Sequence, residues 1–138
     1  MNSSSNFRHR AILGVLTMVM LLALTASAAA QSNPQRVRFP RGHSSTTVSG
    51  RITGFDAKDY VVGARAGQEM TVHLKASNPS TYFVIYSING KPTDMIETTD
   101  WSQQTTESGD YLIRVFMMRS AARRKGAVAN YTLRISIR

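Results

Sequence analysis

Tyr111-Leu112-Ile113-Arg114-Val115-Phe116 and, nearer the C-terminus, Tyr131-Thr132-Leu133-Arg134-Ile135-Ser136-Ile137-Arg138 are the stretches from which the fold is read. In the first, Tyr111, Ile113 and Val115 alternate with Leu112, Arg114 and Phe116. In the second, Tyr131, Leu133, Ile135 and Ile137 alternate with Thr132, Arg134, Ser136 and Arg138. A repeat of two belongs to a β-strand, whose successive side chains point to opposite faces. The second stretch is apolar on one face and wet on the other, as in an antiparallel sheet with one side on a core.

Similar alternations recur on the N-terminal side of these two, bounded by Gly, Asn, Pro and Ser. They predict strands at 37–39, 46–53, 59–65, 69–75, 82–87, around 95–98, 111–117 and 131–137. Turn chemistry separates them at Arg41-Gly42, Gly54-Phe55-Asp56, Ala66-Gly67-Gln68, Asn78-Pro79-Ser80, Asn89-Gly90-Lys91-Pro92 and Ser108-Gly109-Asp110. Asp110 is assigned to its turn. No long helical periodicity appears, so the class is all-β, an antiparallel β-sandwich of about eight strands. Tyr60, Tyr82, Phe83, Tyr111 and Tyr131 are core candidates, and Trp101 is read as a partly buried cover for the core. Strand order and oligomeric state are not legible at this level.

Residues 118–130, before the last strand, exceed what a hairpin needs. Their first half holds good helix formers and no breaker before Gly126, which predicts a short helical turn. Four cations crowd there: Arg119, Arg123, Arg124 and Lys125. On a helix, Arg119 and Arg123 stack on one face with Cβ atoms roughly 5 to 6 Å apart. Such a pair suits gripping carboxylates, because the guanidinium fork donates bidentate hydrogen bonds and stays charged. From composition alone, a solvated loop whose charges keep a sheet edge soluble reads slightly better.

The N-terminal part follows another logic. Met1 to Arg10 is polar and cationic, Ala11 to Leu24 is almost wholly apolar, and Thr25-Ala26-Ser27-Ala28-Ala29-Ala30 is small. That order predicts a signal peptide over 1–30, cleaved after Ala28 or Ala30, and a single domain over 31–138. The apolar run is shorter than the roughly 20 residues of a spanning helix, so no stable membrane insertion is expected. The chain has no cysteine, which closes the lipoprotein route and excludes disulfides and thiolate metal sites. The expected product is exported, soluble and periplasmic.

Without 1–30 the domain keeps 15 Lys+Arg against 8 Asp+Glu, a net charge of +7. This points to an anionic partner: nucleic acid, an anionic envelope surface, or a protein with an acidic cleft. Export argues against nucleic acid. Catalytic chemistry finds little support, since only His43 and His73 remain and no nucleophile-elbow, zinc-helix or phosphate-loop spacing occurs. His43 fits a turn and His73 a sheet. Asp56 with Asp59, or Asp94 with Asp100, are carboxylate pairs that nothing marks as acid and base. No cofactor, no metal and no enzymatic activity are expected. Phe55, between Gly54 and Asp56, reads as exposed and available for contact.

The chain resembles a known family through Phe39-Pro40-Arg41-Gly42-His43-Ser44-Ser45, Gly50, Gly54-Phe55-Asp56, Tyr60, Ala64-Arg65-Ala66-Gly67-Gln68, Ser108-Gly109-Asp110-Tyr111, Arg114-Val115 and Arg119-Ser120-Ala121-Ala122-Arg123. In this order and spacing they are similar to the bacterial periplasmic inhibitors of goose-type lysozyme, over nearly all of 31–138. The resemblance implies a β-sandwich that occupies the acidic active-site cleft of goose-type lysozyme. It also implies three contact residues: the aromatic of the Gly-aromatic-Asp turn, here Phe55, and two arginines four apart, here Arg119 and Arg123. The family's tyrosine is replaced at Phe55, which loses a hydroxyl and keeps the ring. A second class is a carbohydrate- or envelope-binding β module of the pre-peptidase C-terminal type, which shares the Ala-Gly-Gln turn. It requires Trp101 and Phe55 to form one exposed platform.

Overall fold

Strong alternation places a strand where it can bury one face against a second sheet, and the two stretches with the clearest alternation are central strands. A computed structural model describes residues 33–87, 89–93 and 97–138. Among them lie β1 (Gln35–Arg36), β2 (Ser45–Thr53), β3 (Ala57–Ala64), β4 (Glu69–Ala76), β5 (Thr81–Tyr86), β6 (Asp100–Gln104), β7 (Gly109–Met117), a short helix α1 (Arg119–Ala122) and β8 (Val128–Ile137). One sheet runs β1-β3-β7-β5 and the other β2-β8-β4-β6. Every pairing is antiparallel except the two-residue β1, which lies parallel to β3.

The inward positions of β7 and β8 face each other across the layers. Tyr111, Ile113, Val115 and Met117 from one, and Ala129, Tyr131, Leu133, Ile135 and Ile137 from the other, are all buried. Tyr60, Val62, Met70, Val72, Leu74, Phe83 and Ile85 join that core from β3, β4 and β5, with Ile52 from β2 and Trp101 from β6. Each large aliphatic side chain removed from water contributes about 1.5 to 3 kcal/mol before the entropy of ordering it is counted. In a chain without cysteine, this packing carries the stability.

Two polar devices sit within and upon the sandwich. Inside, the hydroxyls of Tyr60 and Tyr131 lie 2.7 Å apart, with the rings edge to face at 6.5 Å and 84°. Burial, reinforced by the Tyr60 hydrogen bond, pushes the Tyr131 phenol above its ordinary value. A raised folded-state value means that the neutral phenol's contribution is fully present below about pH 10 and declines above it, by about 1.4 kcal/mol per pH unit. Denaturant titrations near pH 9 and pH 11 are expected to show this alkaline loss, and Tyr131→Phe to remove most of it. Identical pH slopes in the two proteins would contradict the assignment.

Outside, Arg114 grips Asp59 across the β3–β7 register, Nε donating to Oδ1 and Nη2 to Oδ2, each at 2.7 Å. Its guanidinium also sits 6.0 Å from the Tyr86 ring centroid. This bidentate pair satisfies a carboxylate that is otherwise nearly buried.

Several details depart from the sequence reading. The first strand is Gln35–Arg36 and not 37–39. Val37 still donates its N–H to Val61 at 2.8 Å and is buried, but the chain then leaves the sheet toward Pro40. Asp100–Gln104 is a strand that alternation did not reveal, because Trp101 is its one inward apolar residue. The strand expected around 95–98 lies partly outside the described residues, and Thr98 forms an isolated bridge with Phe83. Asp110 stands within β7, not in the turn, with its carboxylate held by Arg36. Tyr82 is only half-buried, since Thr81, Phe83 and Ile85 take the inward positions of β5. Residues 1–30, and Asp94, lie outside the described residues.

Candidate functional site

Three connections pass from one sheet to the other at the same end of the sandwich: β2 to β3, β4 to β5, and β7 to β8. Gly54 takes a left-handed backbone (φ 55°) that a side chain would disfavour. It donates its N–H to Ala127 at 2.9 Å, and a Cβ there would meet the Ala122 carbonyl at 3.7 Å. The first connection is thereby pressed against the third. On the other flank, Met118 donates to the Ser80 carbonyl at 2.9 Å and Ser77 to that of Asn130 at 2.9 Å, while the Ser77 hydroxyl accepts from the Asn130 N–H at 3.0 Å. The basic loop is therefore the middle of three laced segments.

Its conformation follows from its sequence. Ala121 and Ala122 are the buried residues of α1, small enough to close the end of the core. Arg123 donates its N–H to the Arg119 carbonyl at 3.1 Å, an α-helical turn that places Arg119 and Arg123 on one outward face. Gly126, at φ 75°, turns the chain back into β8. Arg119, Arg123, Arg124 and Lys125 are exposed. Among the described residues no hydrogen bond or ion pair engages the guanidinium of Arg119 or Arg123. Arg36 and Arg114, by contrast, are each held by an aspartate.

Phe55 projects from the neighbouring turn and is 70% exposed, and Met118, which precedes Arg119, is 36% exposed. These are the two exposed large hydrophobic residues among those described, and both stand at this end. The structure thus brings the three sequence-predicted residues, Phe55, Arg119 and Arg123, to one surface. Met118 joins them unforeseen. The available signal was its place at the helix N-cap, ahead of Ala121 and Ala122, which take the inward positions and leave it outside.

Elsewhere the groups that could have supported catalysis are dispersed. The His43 N–H donates to the Pro40 carbonyl at 3.0 Å in its turn. His73 pairs with Asp100 on the outer face of β4 and β6, a hydrogen bond that holds the Asp100 carboxyl below its usual range. Asp56 is exposed in its turn while Asp59 is committed to Arg114, so the two form no acid–base pair. Among the described residues no cluster of three or more His, Asp or Glu could hold a metal ion. Trp101 is 8% exposed, opposite Val72 on β4, and shares no exposed surface with Phe55. What stands at the loop end is a group of exposed cations without internal partners among the described residues, Arg119 and Arg123 among them, beside an exposed aromatic and an exposed thioether.

No protein-family profile matches the chain. A curated protein of Escherichia coli K12, "Inhibitor of g-type lysozyme", is 31% identical over 129 residues, covering 87% of this chain and 93% of that protein. Among solved structures, Aeromonas hydrophila PliG, "a periplasmic lysozyme inhibitor of g-type lysozyme", superposes with a TM-score of 0.69 at 30% identity, covering 76% of this chain and 96% of the other. PliG of Salmonella Typhimurium, described in the same words, gives 0.59 at 27% identity, covering 75% and 96%.

Proposed function

The chain belongs to the family of inhibitors of g-type lysozyme, and on that premise we propose that it binds such a lysozyme and closes its substrate cleft with the Arg119–Arg123 face. Its relatives are inhibitors and not enzymes, in keeping with the dispersal of its histidines and carboxylates. The observation that carries the proposal is the arginine pair itself, exposed, stacked on one helical turn and without an internal anion. Glycoside hydrolases work through carboxylates flanking the scissile bond. A pair of guanidinium forks is complementary to such a cleft in charge and in hydrogen-bond geometry.

Phe55 supplies flat apolar contact next to the pair, without the hydroxyl that a tyrosine would add. The export reading of 1–30 joins this proposal, because an inhibitor that protects peptidoglycan has to reach the periplasm, the compartment named for the structural relatives. The envelope-binding module lacks its requirement, since Trp101 is covered and lies apart from Phe55. The test is an inhibition assay. Purified protein comprising 31–138 is expected to suppress lysis of cell-wall substrate by goose-type lysozyme near equimolar dose, and far less by chicken-type lysozyme. No suppression of the goose-type enzyme at large molar excess would overturn the reading.

A further inference from the structure

β7 is rich in apolar residues on both faces, and only one face meets the other sheet. Tyr111, Ile113 and Val115 enter the core, while Leu112, Arg114 and Phe116 turn outward and are half-buried. The register sets Leu112 between Val61 and Tyr86, Arg114 between Asp59 and Val84, and Phe116 between Ala57 and Tyr82. The outer face of β3, β7 and β5 is therefore largely apolar and aromatic. The other sheet is polar outside, where Thr71, His73 and Lys75 of β4 lie across from Ser136, Arg134 and Thr132 of β8, as expected of an antiparallel sheet with one face in water.

The charges on this aromatic face cancel. Arg36, Asp59, Asp110 and Arg114 are the charged side chains at outward positions of its strands, and they close into two pairs, Asp59 with Arg114 and Asp110 with Arg36. In a domain where residues 31–138 carry +7, that leaves a neutral patch with no preference for an anion. The patch is also small. Strands about 4.8 Å apart and a rise of about 3.3 Å per residue give roughly 10 Å by 13 Å between its outermost Cα atoms. A stable protein interface takes about 800 Å² from each partner, so a second copy of the chain finds too little surface here.

Polar groups are fixed among the rings. A depression of about 440 Å³ is lined by Val61, Tyr86 and Leu112 together with Arg114 and Asp110, within the range of about 300 to 1,000 Å³ for small-ligand sites. Arg114 commits Nε and Nη2 to Asp59 and keeps Nη1 to donate, while the Tyr86 ring 6.0 Å away steadies its guanidinium. Among the described residues no hydrogen bond engages the hydroxyl of Tyr82 or Tyr86. Flat rings edged by fixed donors and acceptors complement a pyranose, whose C–H faces are apolar and whose hydroxyls surround them. We infer that the outer face of β3, β5 and β7 binds an uncharged oligosaccharide. Tyr86 and Leu112 lie beneath one pyranose ring and Tyr82 and Phe116 beneath a later one, with Arg114 donating to hydroxyls between the two and Asp110 accepting at the far end. This site is independent of the arginine face and involves neither Phe55 nor Trp101.

Chemical-shift mapping by NMR on isotope-labelled protein tests the site, with cellotetraose and chitotetraose as probes. For an open face of this size Kd is expected on the order of 1 mM, with shifts concentrated on the amides of residues 61, 82–86 and 110–116. Tyr86→Ala is expected to weaken binding about tenfold and Tyr86→Phe to keep most of it. Arg119→Ala with Arg123→Ala is expected to bind sugar as the parent does. Binding of either probe upholds the site, and the ratio of the two affinities shows whether the acetamido group is read. No shifts with either sugar at about ten times that concentration, shifts centred on another surface, or parent-like affinity of Tyr86→Ala would each overturn it. So would tighter, salt-sensitive binding of tetragalacturonate, which would mark an anionic ligand. Should Tyr86→Ala melt early, the shift map of the parent decides alone.

Discussion

Arg119→Ala combined with Arg123→Ala is expected to abolish inhibition of g-type lysozyme while leaving the melting temperature where it was. Anchors of this kind cost about 2 kcal/mol or more each on truncation, which is roughly thirtyfold in affinity apiece and roughly a thousandfold together if the two act independently. Stability should not follow. Neither guanidinium has an internal partner, alanine is at least as good a helix former as arginine, and removing two like charges four residues apart relieves a small repulsion. The inward side of the same turn, Ala121 and Ala122, is untouched.

The double lysine variant sharpens the test. Arg119→Lys with Arg123→Lys keeps both charges and discards the planar fork, so it should fall between parent and alanine if bidentate geometry matters. Inhibition assays paired with thermal melts check all of this. A fall in melting temperature that tracks the loss of inhibition would mean that the arginines hold the loop and not a partner.

Gly50→Ala should cost about 3 kcal/mol of stability, with the melting temperature lower by about 12 to 20 °C. Gly50 lies directly opposite Tyr131 in the β2–β8 register. An added Cβ would stand 2.4 Å from the Tyr131 hydroxyl oxygen, 2.5 Å from its Cζ and 3.0 Å from the Tyr60 hydroxyl. Relief by a side-chain swing is closed off, because both tyrosines are almost wholly buried. The substitution therefore forces the strands apart or breaks the buried hydroxyl pair. Tyr131→Phe should not rescue it, since the ring carbon alone already clashes, whereas a smaller Tyr131→Leu should restore part of the loss. Calorimetry on the four proteins settles the point, and a melting temperature within 2 °C of the parent's, on the order of 0.5 kcal/mol or less, would contradict it.

How much of this was legible beforehand depended on the sequence distance over which each feature is built. β7 and β8 were plain because a central strand shows its buried face as a period of two. β6 was hidden because an edge strand with a polar outer side leaves a single signal, Trp101. β1 makes only two residues of parallel pairing with β3, and a pairing so short has no periodicity to detect. The Arg36–Asp110 pair joins residues 74 positions apart, so no local pattern could remove Asp110 from its turn. The candidate site divides the same way. The i, i+4 spacing of Arg119 and Arg123 is local and could be read. The exposure of Met118, and the bonds that bind Gly54 to Ala127 and Met118 to Ser80, exist only once three connections meet at one end.

Those bonds have a kinetic meaning. A loop held from both flanks, with Ala121 and Ala122 seated in the core, is fixed in one backbone conformation in the free protein. If the arginine face binds as proposed, association requires only the selection of arginine rotamers, at about 0.5 to 1.5 kcal/mol for each ordered side chain, and no slow rearrangement of the chain. Capture of the proposed target is then expected on encounter, at a rate set by diffusion and by the field of the positive charges.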